Sequence, residues 1–316
     1  MLSRRTFVKL AAWKTSGLAA LLTCQATGKA APVQSPGFAE APFRLALDTT
    51  MFSRHKAREA FRMIRRAGYR FVELGPPHFH STDISAQDLK DLQKQLADAG
   101  LTAVTAFIVH CMSSPDEHRR QQAVTWWQKS IDAVARLGLR LVTTELTGEL
   151  ARPKESGAAF RKSMDVLLPR FEQAGICLSV EPHPGDFYEA AQPTLKLLRS
   201  YGSRYLTYLH CIPHTFFLGP SIREVITEAG SLITHVHVAD SFRTERIMAR
   251  AGVGLHLHLR PGLGEVDFRE TFDGLAAVGY RGAVSVQLLS HLDQPEQAAR
   301  RAREHLQELL GNRLVT

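Results

Sequence analysis

Cysteine is scarce in this chain: Cys24, Cys111, Cys177 and Cys211 are the four in 316 residues. Three of them lie beyond the first 31 residues, an odd and widely spaced set, which excludes a disulfide framework as the source of stability. Cys177 and Cys111 read as small core residues, and Cys211 stands at the end of an apolar run. No Gly-rich loop follows the first apolar run, which argues against a sheet built to hold a dinucleotide or a phosphate. No low-complexity tract is present, and no repeat beyond a regular alternation of elements. No apolar stretch reaches the roughly 20 residues of a membrane span, so stable membrane insertion is not expected. Charge of one sign is also modest. Of the formal +8, residues 1–31 carry five (Arg4, Arg5, Lys9, Lys14, Lys29) and no acid, which leaves +3 for the rest. That is a weak basis for nucleic-acid binding, and no nucleic-acid partner is expected.

The basic leader carries its own signal. Ser3-Arg4-Arg5-Thr6-Phe7-Val8-Lys9 precedes the moderately apolar stretch Leu10–Cys24. The arrangement resembles a twin-arginine export signal, the route of proteins exported already folded. Cleavage near Gly28-Lys29-Ala30 would leave an exported, periplasmic protein. Cys24 follows Leu21-Leu22-Thr23, where threonine stands in place of a small residue, which argues against a lipid anchor. Residues 1–31 therefore read as a signal peptide and residues 32–42, rich in Pro, Ala and Gly, as a linker.

From residue 43 the chain alternates. The runs Phe43–Asp48, Phe71–Leu74, Ala103–Ile108, Leu141–Leu146, Ile176–Val180, Tyr205–His210, Ile233–Val238 and Ala283–Leu288 read as strands. Helical spacing marks Ala57–Ala67, Ala86–Ala99, Arg119–Leu137, Ala158–Ala174, Gln192–Tyr201, Ser221–Ala229, Arg269–Val278 and Gln294–Leu310. A long loop, roughly 241–266, separates the seventh strand from its helix. Eight strand–helix units without a composition break predict an α/β fold, a single (β/α)8 barrel over residues 43–316; a doubly wound open sheet is the alternative.

Several of these runs end directly in polar side chains. Leu178–Asp186 reads LSVEPHPGD, Leu206–His214 reads LTYLHCIPH, Ile233–Asp240 reads ITHVHVAD and Leu255–Asp267 reads LHLHLRPGLGEVD. A parallel barrel builds its chemistry at the carboxyl ends of its strands. Carboxylate, imidazole and thiolate are the groups that bind a divalent metal. Glu73 ends the second strand as a charge partner or a catalytic group. His78 and His80 could line the rim. His235, alternating with His237, is taken to point away from the barrel interior. Trp126-Trp127 reads as core or subunit contact.

Three stretches carry a specific resemblance: Thr143–Gly148 together with Leu178–Pro184, then Val236–Ser241, then Pro261–Phe268. They are similar to the xylose isomerase-like TIM-barrel superfamily of sugar isomerases, epimerases, inosose dehydratases and the endonuclease IV branch, over about residues 43–310. The resemblance implies a metal held by Glu, Asp, His and Glu from strands five to eight. Position by position these fall on Glu181, Cys211, His237 and Gln287, so two of the four depart from the family. Cys211 could bind as a thiolate and favour zinc over magnesium. Gln287 could ligate through its carbonyl oxygen but cannot serve as a base. His214, the last residue of the motif that begins at Cys211, and His256 and His258 in the long loop are the further candidate ligands. The expected cofactor is a divalent ion, zinc, manganese, magnesium or cobalt.

The resemblance implies a small-molecule carbohydrate substrate and proton abstraction α to a carbonyl, as in a sugar or keto-sugar isomerase or epimerase. Glu181, Glu145 and His214 are the acid–base candidates. Without a carboxylate at Gln287, one-base reactions gain weight over two-base epimerisation, and elimination from a keto-sugar is an alternative outcome. A non-catalytic carbohydrate-binding barrel with a lapsed metal site is the alternative of another class. Family members are often dimeric or tetrameric, which makes a homo-oligomer an open expectation.

Overall fold

In the computed structural model, which describes residues 43–76, 78–243 and 258–316, the apolar runs become strands: β1 (Phe43–Asp48), β2 (Phe71–Leu74), β3 (Thr102–Phe107), β4 (Leu141–Glu145), β5 (Cys177–Glu181), β6 (Leu206–Cys211), β7 (Ile233–Val238) and β8 (Ala283–Val286). Each pairs in parallel with the next, and β8 pairs with β1 from Arg44↔Ala283 to Leu47↔Val286. That last pairing closes the sheet into a barrel and rules out the open alternative. The leader and linker expected over residues 1–42 lie outside the described residues.

The helices form where the chain offers both an apolar stripe and a start signal. They are α1 (Ala57–Arg66), α2 (Ala86–Asp98), α3 (Glu117–Arg136), α4 (Pro153–Ala174), α5 (Ala191–Arg199), α6 (Ile212–Leu218), α7 (Ile222–Ala229), α8 (Phe268–Ala277) and α9 (Pro295–Leu310). Ser85 and Asp88 make a reciprocal capping box for α2, and Asp116 and Asp267 cap α3 and α8. Gly175, at φ +65°, supplies the left-handed turn that ends α4 and feeds β5. No helix among the described residues is long and apolar enough to cross a membrane.

The core lies between strands and helices. Trp127, Phe61, Phe160, Phe171 and Phe272 are fully buried there. Burial of each such ring stabilises by roughly 2–3 kcal/mol relative to leaving it in water. Trp126, the neighbour of Trp127, is 39% exposed, so the pair divides between core and surface. Two cysteines differ from expectation: Cys111 is exposed and Cys177 only half-buried. Cys177 opens β5 at the amino-terminal edge of the sheet, and Cys111 lies in the loop that follows β3. Two elements add to the expected set. The short helix α6 follows β6 without a break, and β9 (Leu314–Val315) pairs with β1 through Phe43↔Leu314.

Candidate functional site

The register of the sheet sets reactive side chains side by side at the carboxyl ends of the strands. Asp48 neighbours Glu73 across β1 and β2, Glu145 neighbours Glu181 across β4 and β5, and Cys211 neighbours His237 across β6 and β7.

The deeper layer lies inside the barrel. Glu73 Oε2 is 3.2 Å from Nε2 of both His235 and His237, and Glu73 Oε1 accepts a hydrogen bond from Thr143 Oγ1 at 2.5 Å. His235 Nε2 also lies 2.8 Å from Ser285 Oγ. Glu73, His235 and His237 are closed to solvent. Burial alone would push the Glu73 carboxyl up, but His237 and His235 hold it well below the usual range. Burial likewise opposes a charged His237, yet Glu73, with contacts to Cys211 and Glu181, raises it well above its ordinary value. Glu73 and His237 are therefore a buried acid–imidazole pair in which each favours the charged form of the other. His235 points inward beside His237, contrary to expectation, because residues two apart on a strand share a face.

Asp48 completes this layer. Its Oδ1 accepts from the Thr50 amide and its Oδ2 from Gln287 Nε2, both at 2.8 Å. Burial and the Glu73 charge push its carboxyl up to about 6.

The upper layer is where ligand-type atoms converge. Those of Glu181, Cys211 and His237 lie within 4.8 Å of one another, and so do those of Cys211, His214 and His258. Cys211 belongs to both groups. His214 arrives because α6 begins on the residue after Cys211, with Pro213 in its first turn, where a missing N–H costs nothing. Its Nδ1 is 2.5 Å from Glu181 Oε1 and its Nε2 is 3.0 Å from His258 Nε2. Burial would raise Glu181, but His214 and His237 hold it well below its ordinary value.

His258 is held by the loop around it. Leu259 makes a two-way backbone bridge with Asp240. The Asp240 carboxylate then collects four backbone N–H groups: Ser241 and Val266 at 2.9 and 3.0 Å on Oδ1, Gly262 and Gly264 at 2.9 and 2.8 Å on Oδ2. A Cβ on Gly264 would fall against that carboxylate and the Ser241 carbonyl, so only glycine fits the clamp.

At the mouth stand Glu145, His183 and Asp186, a further group of ligand-type atoms within 4.8 Å of one another. Glu145 and His183 are partly open to solvent, with Glu145 Oε1 3.8 Å from His183 Nε2. Burial raises Glu145 against the pull of His183, and the Glu181 charge adds to the rise. Burial and the Glu145 charge bring Asp186 up to about 8, although it accepts the Thr147 amide at 2.8 Å.

The sequence of this barrel matches the profile of the xylose isomerase-like TIM barrel over residues 61–309. The chain belongs to that family. It is 24% identical over 264 residues to fructoselysine 3-epimerase of Shigella flexneri, covering 79% of this chain and 92% of that one. In fold it is similar to 3-keto-D-glucoside 4-epimerase of E. coli, with TM-score 0.69 and 17% identity over 84% of this chain and 99% of that one. It is also similar to the IOLI protein solved with a zinc atom, with TM-score 0.65 and 17% identity over 84% and 97% of the two chains. This is thus a sugar epimerase-like member of the family with candidate buried metal sites.

Within this family member the structure brings Glu181, Cys211, His214, His237 and His258 together, with Glu145 above them. Gln287 turns its amide toward Asp48 and offers its backbone carbonyl to His258 Nδ1 at 3.0 Å. His256 lies outside the described residues. His78 and His80 line a different cleft, with Asp83 and Ile84. Sequence reasoning passed over Asp48, His183 and Asp186; the last two lie in the LSVEPHPGD segment, two and five residues after Glu181.

A divalent metal fits the upper layer. Glu181 Oε1 and His237 Nδ1 are buried polar atoms without a well-aligned hydrogen bond. Nitrogen, oxygen and sulfur donors together suit a borderline ion such as zinc. Burial pushes the Cys211 thiol above its ordinary value, so its sulfur ionises only with a cation beside it.

Proposed function

We propose that this protein is a metal-dependent enzyme that moves a proton α to the carbonyl of a keto-sugar. The observation that carries the reading is the stack at the carboxyl ends of β4–β7: a buried set of metal-ligand side chains below, and the partly exposed Glu145–His183 pair above it. A divalent ion, when bound, supplies a Lewis acid that polarises a substrate carbonyl. Glu145 is the acid–base group of this reading. Its raised pKa brings it nearer neutrality, where a general base works best. His183 receives or returns the proton at Nε2, 3.8 Å from Glu145 Oε1. Glu181 holds His214 rather than substrate.

The epimerase names of the relatives support a keto-sugar substrate. Gln287 favours a second outcome on the same site, because an amide cannot accept a proton from the opposite face of the substrate carbon. One-base isomerisation, or elimination of a β-hydroxyl, needs only the Glu145 side. The twin-arginine-like leader supports export of the folded, loaded protein.

The test is hydrogen–deuterium exchange at the α-carbon across a panel of keto-sugars, followed by NMR. We expect exchange that chelation abolishes and a divalent ion restores. Glu145→Gln should slow it on the order of 100-fold or more. Exchange indifferent to both chelator and Glu145→Gln, or none on any keto-sugar with the metal in place, would retire the reading in favour of a carbohydrate-binding barrel.

A further inference from the structure

Beyond the ends of β4 and β5 the two loops stay joined. The last bond of the ladder runs from the Leu146 N–H to the Glu181 carbonyl at 2.8 Å. One residue further on, Thr147 is held at both ends of its backbone. Its N–H donates to Asp186 Oδ2 at 2.8 Å, and its carbonyl accepts from the Phe187 N–H at 3.3 Å. The Asp186 N–H in turn donates to the His183 carbonyl at 3.0 Å. The segments that carry Glu145 and His183 are thus tied together through one carboxylate.

Thr147 depends on that tie. Its φ is +63°, in the left-handed region, where a β-branched residue is strained and persists only if its surroundings dictate the conformation. Gly148 follows at φ +89°, so the chain turns sharply just after Glu145 and Leu146. The threonine gains nothing from its hydroxyl in return: Oγ1 is buried and has no hydrogen-bond partner among the described residues. With its N–H released, Thr147 would relax toward negative φ, and the backbone that carries Glu145 would swing with it.

The surroundings of Asp186 disfavour a charge. The residue is 6% exposed, and its charged neighbours Glu145 and Glu181 are acids. Among the described residues no lysine or arginine pairs with it, and the group it reaches across to hold is the Thr147 amide. Resting on the reading of Glu145 as the acid–base group, we propose that Asp186 is a positioning residue, which clamps the strained Thr147 turn and so sets the Glu145 carboxyl opposite His183. It neither touches the substrate nor carries its proton. Misplacing a reacting group by about 1 Å can cost on the order of 100-fold in rate, so a clamp on the adjoining turn is felt at the reaction.

The test is a double-mutant cycle on the metal-loaded full chain, with α-proton exchange on keto-sugars followed by NMR and kcat separated from KM. Asp186→Ala should lower kcat by about tenfold or more, with KM and metal content unchanged. Asp186→Asn keeps an acceptor for the Thr147 amide and should recover most of that loss. In a Thr147→Gly background, Asp186→Ala should cost about threefold less than in the parent or better, because glycine takes a left-handed backbone unaided. The amide of residue 147, followed by hydrogen–deuterium exchange, should be protected in the parent and in Asp186→Asn and open in Asp186→Ala; circular dichroism confirms that each variant folds. An asparagine variant as slow as the alanine would assign the effect to charge, and an equal cost in both backgrounds would sever it from the turn; either overturns the clamp. So would an alanine variant that keeps the parent's kcat or the parent's protection at residue 147. A loaded parent that exchanges no keto-sugar proton would instead overturn the activity itself, and the role of Asp186 in it as well.

Discussion

Replacing Asp240 by Asn should loosen the loop that carries His258, and the size of the effect follows from the four N–H groups the carboxylate collects. Asp240 is 2% exposed, so water cannot substitute for a lost acceptor. Asparagine keeps one oxygen and puts an NH2 where the other stood. Two backbone N–H groups then face a donor instead of an acceptor, either those of Gly262 and Gly264 or those of Ser241 and Val266. A buried donor left unsatisfied costs about 1–3 kcal/mol. The two bonds that survive lose their charge assistance. The sum is roughly 4 kcal/mol, which for a barrel of this size lowers the melting temperature by roughly 8–12 °C. Thermal unfolding followed by circular dichroism, with limited proteolysis of residues 258–266, reads both the global and the local loss. A melting temperature within about 2 °C of the parent, with an unchanged cleavage pattern, would refute the clamp. Gly264→Ala should reproduce the Asp240→Asn phenotype, since its Cβ collides with the same carboxylate.

Glu73→Gln removes the acid of a buried ion pair and leaves the His237 charge uncompensated on that side. A loss of about 3–5 kcal/mol is expected in urea unfolding, and a loss under about 1 kcal/mol would show that His237 is neutral in the folded protein. His110 supplies a pH dependence away from the metal ligands. Burial lowers its pKa to about 4, and its Nε2 lies 3.0 Å from Ser130 Oγ. The folded ring resists a proton that the unfolded ring takes up near 6.5, so its contribution is fully present above 6.5 and is lost as pH falls through 4. Between pH 7.5 and pH 5 this amounts to about 2 kcal/mol. His110→Gln should flatten the stability curve by that amount over the window, and parallel curves for parent and variant would count against the assignment.

The strands were legible because a parallel barrel buries both faces of each one, which writes a short continuous apolar run into the sequence. Helix ends were legible where Gly or a capping side chain marks them, as at Gly175 and Ser85. The helix α6 was not. Its sequence IPHTFFL is buried on nearly every side and so shows no 3.6-residue alternation, and its first residues read as a metal motif. Strand β9 is two residues long, below what any periodicity can show. In the site, Glu181, Cys211, His214, His237 and His258 stood out because each ends a strand or flanks a loop at its carboxyl side. The inward turn of His235 could also have been read from its two-residue spacing to His237. The partnership of Glu73 with His235 and His237 could not. It joins residues more than 160 positions apart and depends on barrel closure, which no local pattern encodes.

The Glu73–His237 pair also orders the birth of the molecule. The acid and the Thr143 hydroxyl that binds it are synthesised before any of the residues that gather around Cys211, all of which lie beyond position 180. Until β7 is made, Glu73 lacks its imidazole partners, and burying it leaves an unpaired charge or forces the carboxyl to take up a proton. A fragment of the first four strand–helix units therefore has no way to complete its own interior. The imidazoles that pair with Glu73 come only with the last third of the chain, so closing the barrel and pairing that acid are one event.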